Sequence, residues 1–461
     1  MAMDIQNDKQ LCETIRVYKR RWLFLFFAVA CIAMGYYKIT AFGQINGIYV
    51  EYYNVTYTEV DLITIGCAVG PAVGLPIVAL LNCANILPLR RLFILGTGIL
   101  SISYLLELAS VYASQKSFVI FVFGQVLNGL GLEIMFGSCI GLSAAWFPEN
   151  EVVTAISASK IGEALGQILG SVVPVNTLSV PDTDSPAWIL YDRTVCIVEN
   201  AILSSVAVTS FLVVTFFFQS KPPCPPSESM ALKNALINEQ CWPESLVKKL
   251  KNLLKHKRYF LTAYCFAAII GLFFIDVMIV RDILESAETG ILLGKHAAPY
   301  IIIISSTSMF LGGLAIGPVM RTFSLNVVKV ASFAAIVTFL ARTGILVSLF
   351  YHSYIACCCF FFLFGLVYSV AVVSITNITL DQTYPINESF ISNINVFGLS
   401  LVNVINMFLS RQLFTFRGYV GVSVQQMVLA LSVAVIITFY NPDLKRSTAI
   451  KSEEKQPLLK K

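Results

Sequence analysis

Twelve apolar segments place the strongest constraint on the fold of this chain. Each is long enough for an α-helix to cross the roughly 30 Å hydrocarbon core of a bilayer. Only 13% of the 461 residues are charged, whereas about 25% are charged in a typical soluble domain, so a water-exposed surface could not be covered. The sequence therefore predicts an all-α membrane protein of about 12 transmembrane helices, with the lipid bilayer as a partner. The segments lie at 22–45, 61–84, 92–113, 117–146, 152–178, 195–218, 259–280, 298–320, 328–350, 354–380, 390–410 and 418–440.

The segments form two groups of six, separated by a long polar stretch. Lys and Arg cluster before the first segment, in alternate loops and in the central stretch, which the positive-inside rule assigns to the cytosol. Both termini are then expected to be cytosolic. Met230 to Lys257 is typical of a basic amphipathic helix on the membrane surface, or of a solvated tether. The predicted domains are a cytosolic tail at 1–21, a six-helix half at 22–218, a cytosolic linker at 219–258, a second six-helix half at 259–440 and a cytosolic tail at 441–461.

Several functional classes have no support in the sequence. The net charge of +5 is concentrated in loops, so nucleic acid is not an expected partner. The chain has no Walker loop and no GxSxG or HExxH motif, and its three histidines are far apart, which disfavours an enzyme. No cofactor or metal site is predicted, and no repeated filter sequence indicates a pore.

Charges inside the apolar segments are the first candidates for a functional site, because a charge in hydrocarbon is costly unless it is paired or hydrated. Two six-helix halves around a long loop are the layout of the major facilitator fold, whose first and fourth helices in each half line a cavity at the midplane. Lys38 and Asp276 lie at corresponding depths, and we expect them to face each other across that cavity, as a ligand clamp or as a static ion pair. Glu133 on helix 4 is expected to add a polar contact. If Glu133 is unpaired, it is the candidate to carry a proton, since burial disfavours the charged form.

The other charges inside helices have neighbours that can neutralise them. Lys160 and Glu163 are three residues apart on helix 5, a spacing at which helical side chains meet, and Glu163 is kept as a candidate site residue. Glu107, Glu199 and Arg342 lie on helices 3, 6 and 9, which are peripheral in this layout. We expect these three residues to form bonds between helices.

Short motifs are spread over nearly the whole chain, and the strongest are at helix 4 and at the entry to helix 11. They are Arg20-Arg21, Val55-Thr56, Gly124-Gln125, Gly137, Ala145-Trp146-Phe147, Glu151-Val152, Gly162 to Gly166, Pro222-Pro223, Pro225-Pro226, Gly271, Thr383-Tyr384-Pro385 and Asp443-Leu444-Lys445-Arg446. Together they resemble the feline leukaemia virus subgroup C receptor (FLVCR) transporter family. Gln125, inside the helix 4 motif, is a candidate binding residue on this basis.

The resemblance implies a major facilitator transporter from a family reported to move choline, ethanolamine, haem or pyridoxine. The choline carriers of this family enclose the quaternary amine between a tryptophan on helix 1 and a tyrosine on helix 7, with glutamines on helices 5 and 11. The corresponding residues here, in the order helix 1, 7, 5 and 11, are Ile39, Phe274, Ala164 and Ser400. Only Phe274 keeps an aromatic face, and Phe274 and Ser400 are the candidate binding residues that follow from the resemblance.

The positive charge of Lys38 affects which solutes the cavity is expected to bind. Lys38 is next to Ile39 in the sequence, and an ammonium at that place would repel a bare cation. We therefore expect an anionic, zwitterionic or neutral solute rather than choline. Alternatively, Tyr36, Tyr37 or Phe42 rebuilds the aromatic cage from a shifted register.

Two short signals concern modification and sorting. Asn54-Val55-Thr56 is an N-glycosylation sequon in a loop on the non-cytosolic side. Near the C-terminus, Glu454 precedes the pair Leu458-Leu459 in a polar tail, which resembles an acidic dileucine signal read by clathrin adaptor complexes. These signals indicate a plasma membrane or endolysosomal membrane.

The function that the sequence favours is transmembrane transport of a small organic solute by alternating access. The alternative is a transport-inactive receptor or scaffold, in which the buried charges are only structural.

Overall fold

A computed structural model describes residues 16–84, 86–113, 117–177, 186–226, 257–285, 297–322, 326–383, 386 and 388–439. Within these residues every element is a helix. The helices are α1 (Arg21–Tyr53), α2 (Tyr57–Cys83), α3 (Leu89–Ala113), α4 (Phe118–Trp146), α5 (Glu149–Thr177), α6 (Pro186–Phe217), α7 (Lys257–Glu285), α8 (Ala297–Thr322), α9 (Val327–Phe350), α10 (Tyr354–Thr383) and α11 (Glu388–Phe439).

The last helical element, α11, contains two membrane spans. Its 52 residues would be about 78 Å long if straight, more than twice the thickness of a hydrocarbon core. Gly418, with φ 58° and ψ −152°, interrupts the helical backbone. Across this break the Ser410 hydroxyl donates a hydrogen bond of 2.9 Å to the Gln425 side-chain oxygen, which is possible only if the chain reverses. The prediction that this stretch contains two spans is therefore confirmed.

Ten described helices, α11 among them, are long and apolar enough to cross a membrane, and α5 is not one of them. Helix α5 packs between α1 and α8. Its glycines allow this close packing: a Cβ added to Gly162 would lie 2.8 Å from the Val29 carbonyl oxygen, and one added to Gly170 would lie 2.5 Å from the Tyr37 carbonyl oxygen. With α5 and the two spans of α11, the predicted all-α bundle of about 12 transmembrane helices is confirmed.

The two halves meet where α2 and α4 pack on α11 and where α5 packs on α8. We name the end of the bundle where α1 begins at Arg21 the linker end, and the opposite end the far end. At the linker end, α4 and α11 are in close contact, since a Cβ added to Gly137 would lie 2.6 Å from the Asn393 side-chain oxygen. Arg321 on α8 also reaches the Thr154 hydroxyl of α5 at 3.4 Å.

Some predicted features lie outside the described residues. These are the dileucine signal with Glu454, Leu458 and Leu459, the tail at 441–461, and the amphipathic helix of the linker apart from Lys257, which begins α7.

Candidate functional site

A central cavity lies between the two halves and has two connected parts. The inner part is lined by Cys67, Ala68, Pro71, Gly129, Leu132, Glu133, Ser400 and Asn403. The outer part, toward the far end, is lined by Phe42, Gly43, Val60, Val277, Arg281, Asp282 and Arg411. Ile39, Thr64, Phe274 and Met407 line both parts. Counting space open to solvent, the two parts have empty volumes of about 390 Å³ and 630 Å³.

The inner part presents hydrogen-bond acceptors. The Glu133 side chain is 5% exposed, and its Oε2 atom has no hydrogen-bond partner among the described residues. The side-chain oxygen of Asn403, a residue 4% exposed, likewise has no partner within the described chain. Ser400 donates its hydroxyl proton to the Val396 carbonyl at 2.9 Å. Buried acceptors are costly without a donor, so this part of the cavity favours a solute that brings N–H or O–H groups.

Three of the predicted binding residues, Glu133, Phe274 and Ser400, come together in this cavity. Ile39 lies there as well, whereas Ala164 is buried elsewhere and lines neither part. Phe42, one turn beyond Ile39 on α1, supplies a second aromatic ring in the outer part.

The lining helices differ from the expected set. They are α1, α2, α4, α7 and α11, and α10 contributes no lining residue among those described. Helix α10 instead uses Tyr368 to contact α5.

Lys38 lies in a buried cluster inside the N-terminal half rather than in the cavity. Its ammonium is 2.7 Å from the Asn200 side-chain oxygen, 3.3 Å from Glu107 Oε2 and 3.4 Å from Glu199 Oε1. Gln125 belongs to the same cluster, because its side-chain amide donates to Glu107 Oε1 at 2.6 Å. Lys38 and Gln125 are therefore candidate residues that the structure separates from the cavity.

Asp276 lies in an equivalent cluster inside the C-terminal half. The Arg342 guanidinium donates two hydrogen bonds to its carboxylate, at 2.8 and 2.6 Å. The Gln426 side-chain amide donates a third, at 2.8 Å. Arg342 also lies over the Phe364 ring, 3.7 Å from its centroid, so an aromatic ring covers one face of the guanidinium.

The expected pairing of Lys38 with Asp276 across the cavity is therefore wrong. Each charge is neutralised inside its own half, since helices packed directly together bring opposite charges within hydrogen-bond distance. The expected interhelical bonds of Glu107, Glu199 and Arg342 are confirmed by the same contacts.

Glu163 forms a third cluster, at the interface between halves. Lys160 donates to its carboxylate at 2.5 Å, which confirms the predicted local pair. The Tyr368 hydroxyl of α10 donates to the same carboxylate at 3.0 Å. Nearby, the Ser306 hydroxyl of α8 donates to the Gln167 side-chain oxygen at 3.0 Å. Glu163 thus links α5 to the C-terminal half.

Asn54 is exposed at the far end of α1, where its φ of 53° ends the helix. The next helix begins with a capping box, in which Glu59 accepts hydrogen bonds from the backbone and hydroxyl of Thr56. The bonds from the Thr56 backbone and hydroxyl lower the pKa of the Glu59 carboxyl. The sequon is therefore on an exposed turn, and its use stays a prediction.

Five polar lining residues were missed by the sequence reasoning: Thr64, Asn403, Arg281, Asp282 and Arg411. The three charged ones follow directly after segments that were predicted to end at residues 280 and 410. In the structure α7 continues to Glu285, and α11 continues beyond residue 410. Charges just past an apolar segment were the signal that could have identified them, because a helix commonly continues into the interface region.

Comparisons with known proteins agree with this architecture. The sequence profile of the Major Facilitator Superfamily matches residues 25–405. The choline/ethanolamine transporter FLVCR2 of Rattus norvegicus is 26% identical over 242 residues, which are 52% of this chain and 42% of that protein. The choline/ethanolamine transporter flvcr2a of Danio rerio is 25% identical over 291 residues, which are 61% of this chain and 59% of that protein. The match thus spans about half the length of these relatives.

Solved structures show the same fold. The transporter FucP in the outward conformation matches with a TM-score of 0.65 at 14% identity, covering 90% of this chain and 97% of that chain. The proton:xylose symporter XylE bound to 6-bromo-6-deoxy-D-glucose matches with a TM-score of 0.65 at 12% identity, covering 93% and 98%. At these identities the likeness concerns the fold alone.

Proposed function

The chain belongs to the major facilitator superfamily, and from this premise we propose that it carries a small organic solute across a membrane by alternating access through its central cavity. It is a multi-pass membrane protein. The relatives named choline/ethanolamine transporters support an amine as the solute. The family resemblance adds haem and pyridoxine as further candidates.

The observation that carries the proposal is the pair of buried acceptors in the inner part of the cavity. Glu133 Oε2 and the Asn403 side-chain oxygen have no hydrogen-bond partner among the described residues. A carboxylate buried in a membrane protein is costly unless it is paired or hydrated, and an ammonium with N–H groups would supply both charge and donors. The Lys38 ammonium bonds to Asn200 inside the N-terminal half and does not line the cavity. Repulsion of a cation by Lys38 therefore no longer argues against such a solute.

The shape of the cavity supports loading from the far end. At the linker end, α4 and α11 are in close contact around Gly137 and Asn393. At the far end the cavity is bordered by Asp282 and Arg411, whose side chains are 32% and 36% exposed. Alternating access then requires α4 and α11 to separate at the linker end while the far end closes.

The remaining features of the proposal rest on the sequence. The distribution of Lys and Arg supports a cytosolic position for both termini. The tail signal would recruit clathrin adaptors and direct the protein to an endolysosomal membrane, with the plasma membrane as the alternative. We assign no catalytic activity to the chain.

The test is uptake of radiolabelled ethanolamine into proteoliposomes that contain the full chain. Glu133→Gln removes the charge but keeps the shape of the side chain, and we expect uptake to fall about tenfold or more, since a hydrogen bond to a charged group contributes about 1.5–3 kcal/mol. The matched control is Glu149→Gln, which changes an exposed glutamate at the start of α5 and should leave uptake unchanged.

Two outcomes would contradict the proposal. Equal uptake by Glu133→Gln and the original chain would place the binding site outside this cavity. A folded protein that transports none of ethanolamine, choline, pyridoxine or haem would support the receptor or scaffold alternative. Repeating the assay with and without a pH gradient shows whether Glu133 carries a proton, because only the original chain should then respond to the gradient.

A further inference from the structure

The central cavity has opposite charge at its two parts. The inner part contains Glu133 and the acceptor oxygen of Asn403. The outer part contains two guanidinium groups, Arg281 and Arg411, and one carboxylate, Asp282. Among the lining residues, the inner part therefore has a net negative charge and the outer part a net positive charge.

The two charged parts are separated by an apolar stretch. Asn403 and Arg411 are eight residues apart on α11, which corresponds to about 12 Å along a helix. Phe274 and Met407 line the cavity between them. A long arginine side chain can extend along the cavity and shorten the distance between the two charged parts. That distance suits a solute whose two charged groups are separated by a few bonds.

Arg411 is held by a contact that a solute can replace. Its guanidinium lies 2.5 Å from the Asp282 carboxylate, and both side chains are about one third exposed. An ion pair this exposed contributes little to stability. Guanidinium groups bind carboxylate and phosphate oxygens through two parallel hydrogen bonds, so Arg411 has the donors that an acidic group on the solute requires.

We propose that the cavity binds a zwitterionic solute, with an ammonium at Glu133 and Asn403 and an acidic oxyanion, a phosphate or a carboxylate, at Arg411 and Arg281. This inference rests on the proposed transport function and specifies its solute. A simple cation satisfies only the inner part of the cavity. A simple anion satisfies only the outer part and leaves Glu133 Oε2 without a hydrogen-bond donor.

The test compares four probes that differ in their charged groups. Ethanolamine has an ammonium as its only charged group, ethyl phosphate has only the oxyanion, O-phosphoethanolamine has both, and 4-aminobutyrate pairs the ammonium with a carboxylate. Dissociation constants are measured by titration calorimetry on the full chain in detergent. We expect at least one of the two zwitterions to bind about tenfold more tightly than ethanolamine, the effect of one added charge-assisted contact.

Variants of the lining residues test which residue binds each charged group of the solute. Arg411→Gln should remove the roughly tenfold advantage of the zwitterion over ethanolamine. Arg411→Lys keeps the charge but not the paired geometry, and it should lose only part of the advantage. Glu133→Gln should weaken ethanolamine and the zwitterions alike. Arg417→Gln is the matched control, because Arg417 is an exposed arginine on the same helix, and it should change none of the four constants.

The outcomes separate this inference from the proposed function. If ethanolamine and both zwitterions bind equally and all depend on Glu133, the proposal of a zwitterionic solute is wrong, and the proposed transport of an amine is still supported. If none of the probes binds to the folded chain, this inference fails, and uptake of choline, pyridoxine and haem then decides the proposed function. The stronger of the two zwitterions identifies the oxyanion, as phosphate or as carboxylate, and either result supports the inference.

Discussion

The two halves of the molecule bury corresponding charge clusters of opposite polarity. In the N-terminal half a cation on α1, Lys38, meets carboxylates on α3 and α6. In the C-terminal half a carboxylate on α7, Asp276, meets a cation on α9, Arg342, and an amide on the last span. The three helices occupy the same places in the chain order of each half, so the positions are equivalent and only the charges are exchanged.

The clusters differ in how completely the charges are matched. Asp276 and Arg342 form a one-to-one pair with two hydrogen bonds of 2.6 and 2.8 Å. Lys38 is shared by two carboxylates, Glu107 and Glu199, at 3.3 and 3.4 Å. In the C-terminal cluster the two charges therefore balance, and their contacts hold three helices together. The N-terminal cluster has one more acid than base, and its ion-pair distances are longer. The difference shows that equivalent positions in the two halves need not have equal roles.

The largest expected effect is in the C-terminal pair. Arg342→Met leaves the Asp276 carboxylate buried without its cation, which should lower the free energy of unfolding by about 3–5 kcal/mol. Adding Asp276→Leu removes the stranded charge and should recover most of that loss. The measurement is unfolding by SDS in mixed micelles. A double variant as unstable as the single one would show that the loss does not come from the unpaired charge of Asp276.

A smaller loss is expected when the N-terminal cluster loses its cation. Lys38→Met should lower the free energy of unfolding by about 1–3 kcal/mol, because one of the two remaining acids, Glu199, is 11% exposed and partly hydrated. The measurement is unfolding by SDS in mixed micelles, beside the Arg342→Met variant. A loss as large as that of Arg342→Met would contradict the shared-cation arrangement.

The smallest effect is expected at the surplus acid. Glu199→Gln removes a 3.4 Å contact and also a like charge near Glu107, so the two changes should nearly cancel and leave the free energy of unfolding within about 1 kcal/mol. Glu107→Gln is the comparison, because it also disturbs the 2.6 Å bond from Gln125 and should cost more. If Glu199→Gln is as damaging as Arg342→Met, the N-terminal cluster is matched as tightly as the C-terminal one.

Part of the candidate site could be predicted from the sequence and part could not. Glu133 was identified because a lone carboxylate inside an apolar helix is unusual, and Phe274 and Ser400 were identified from the family resemblance. Arg281, Asp282 and Arg411 were missed because the apolar segments appeared to end just before them. Asn403 was missed because an amide in a membrane helix most often bonds to a neighbouring helix, and the sequence does not show that its oxygen is left without a donor.

The sequence by itself determined that the chain is a helical membrane protein, because the length and polarity of each segment depend only on local composition. It also determined which charges must be buried. Only the tertiary structure decided their partners: Lys38 turns to α3 and α6, Asp276 turns to α9, and Glu133 faces the cavity. The physical reason is that a buried charge bonds to whatever the packed helices bring within about 3 Å, and that distance depends on the rotation and packing of helices far apart in the chain.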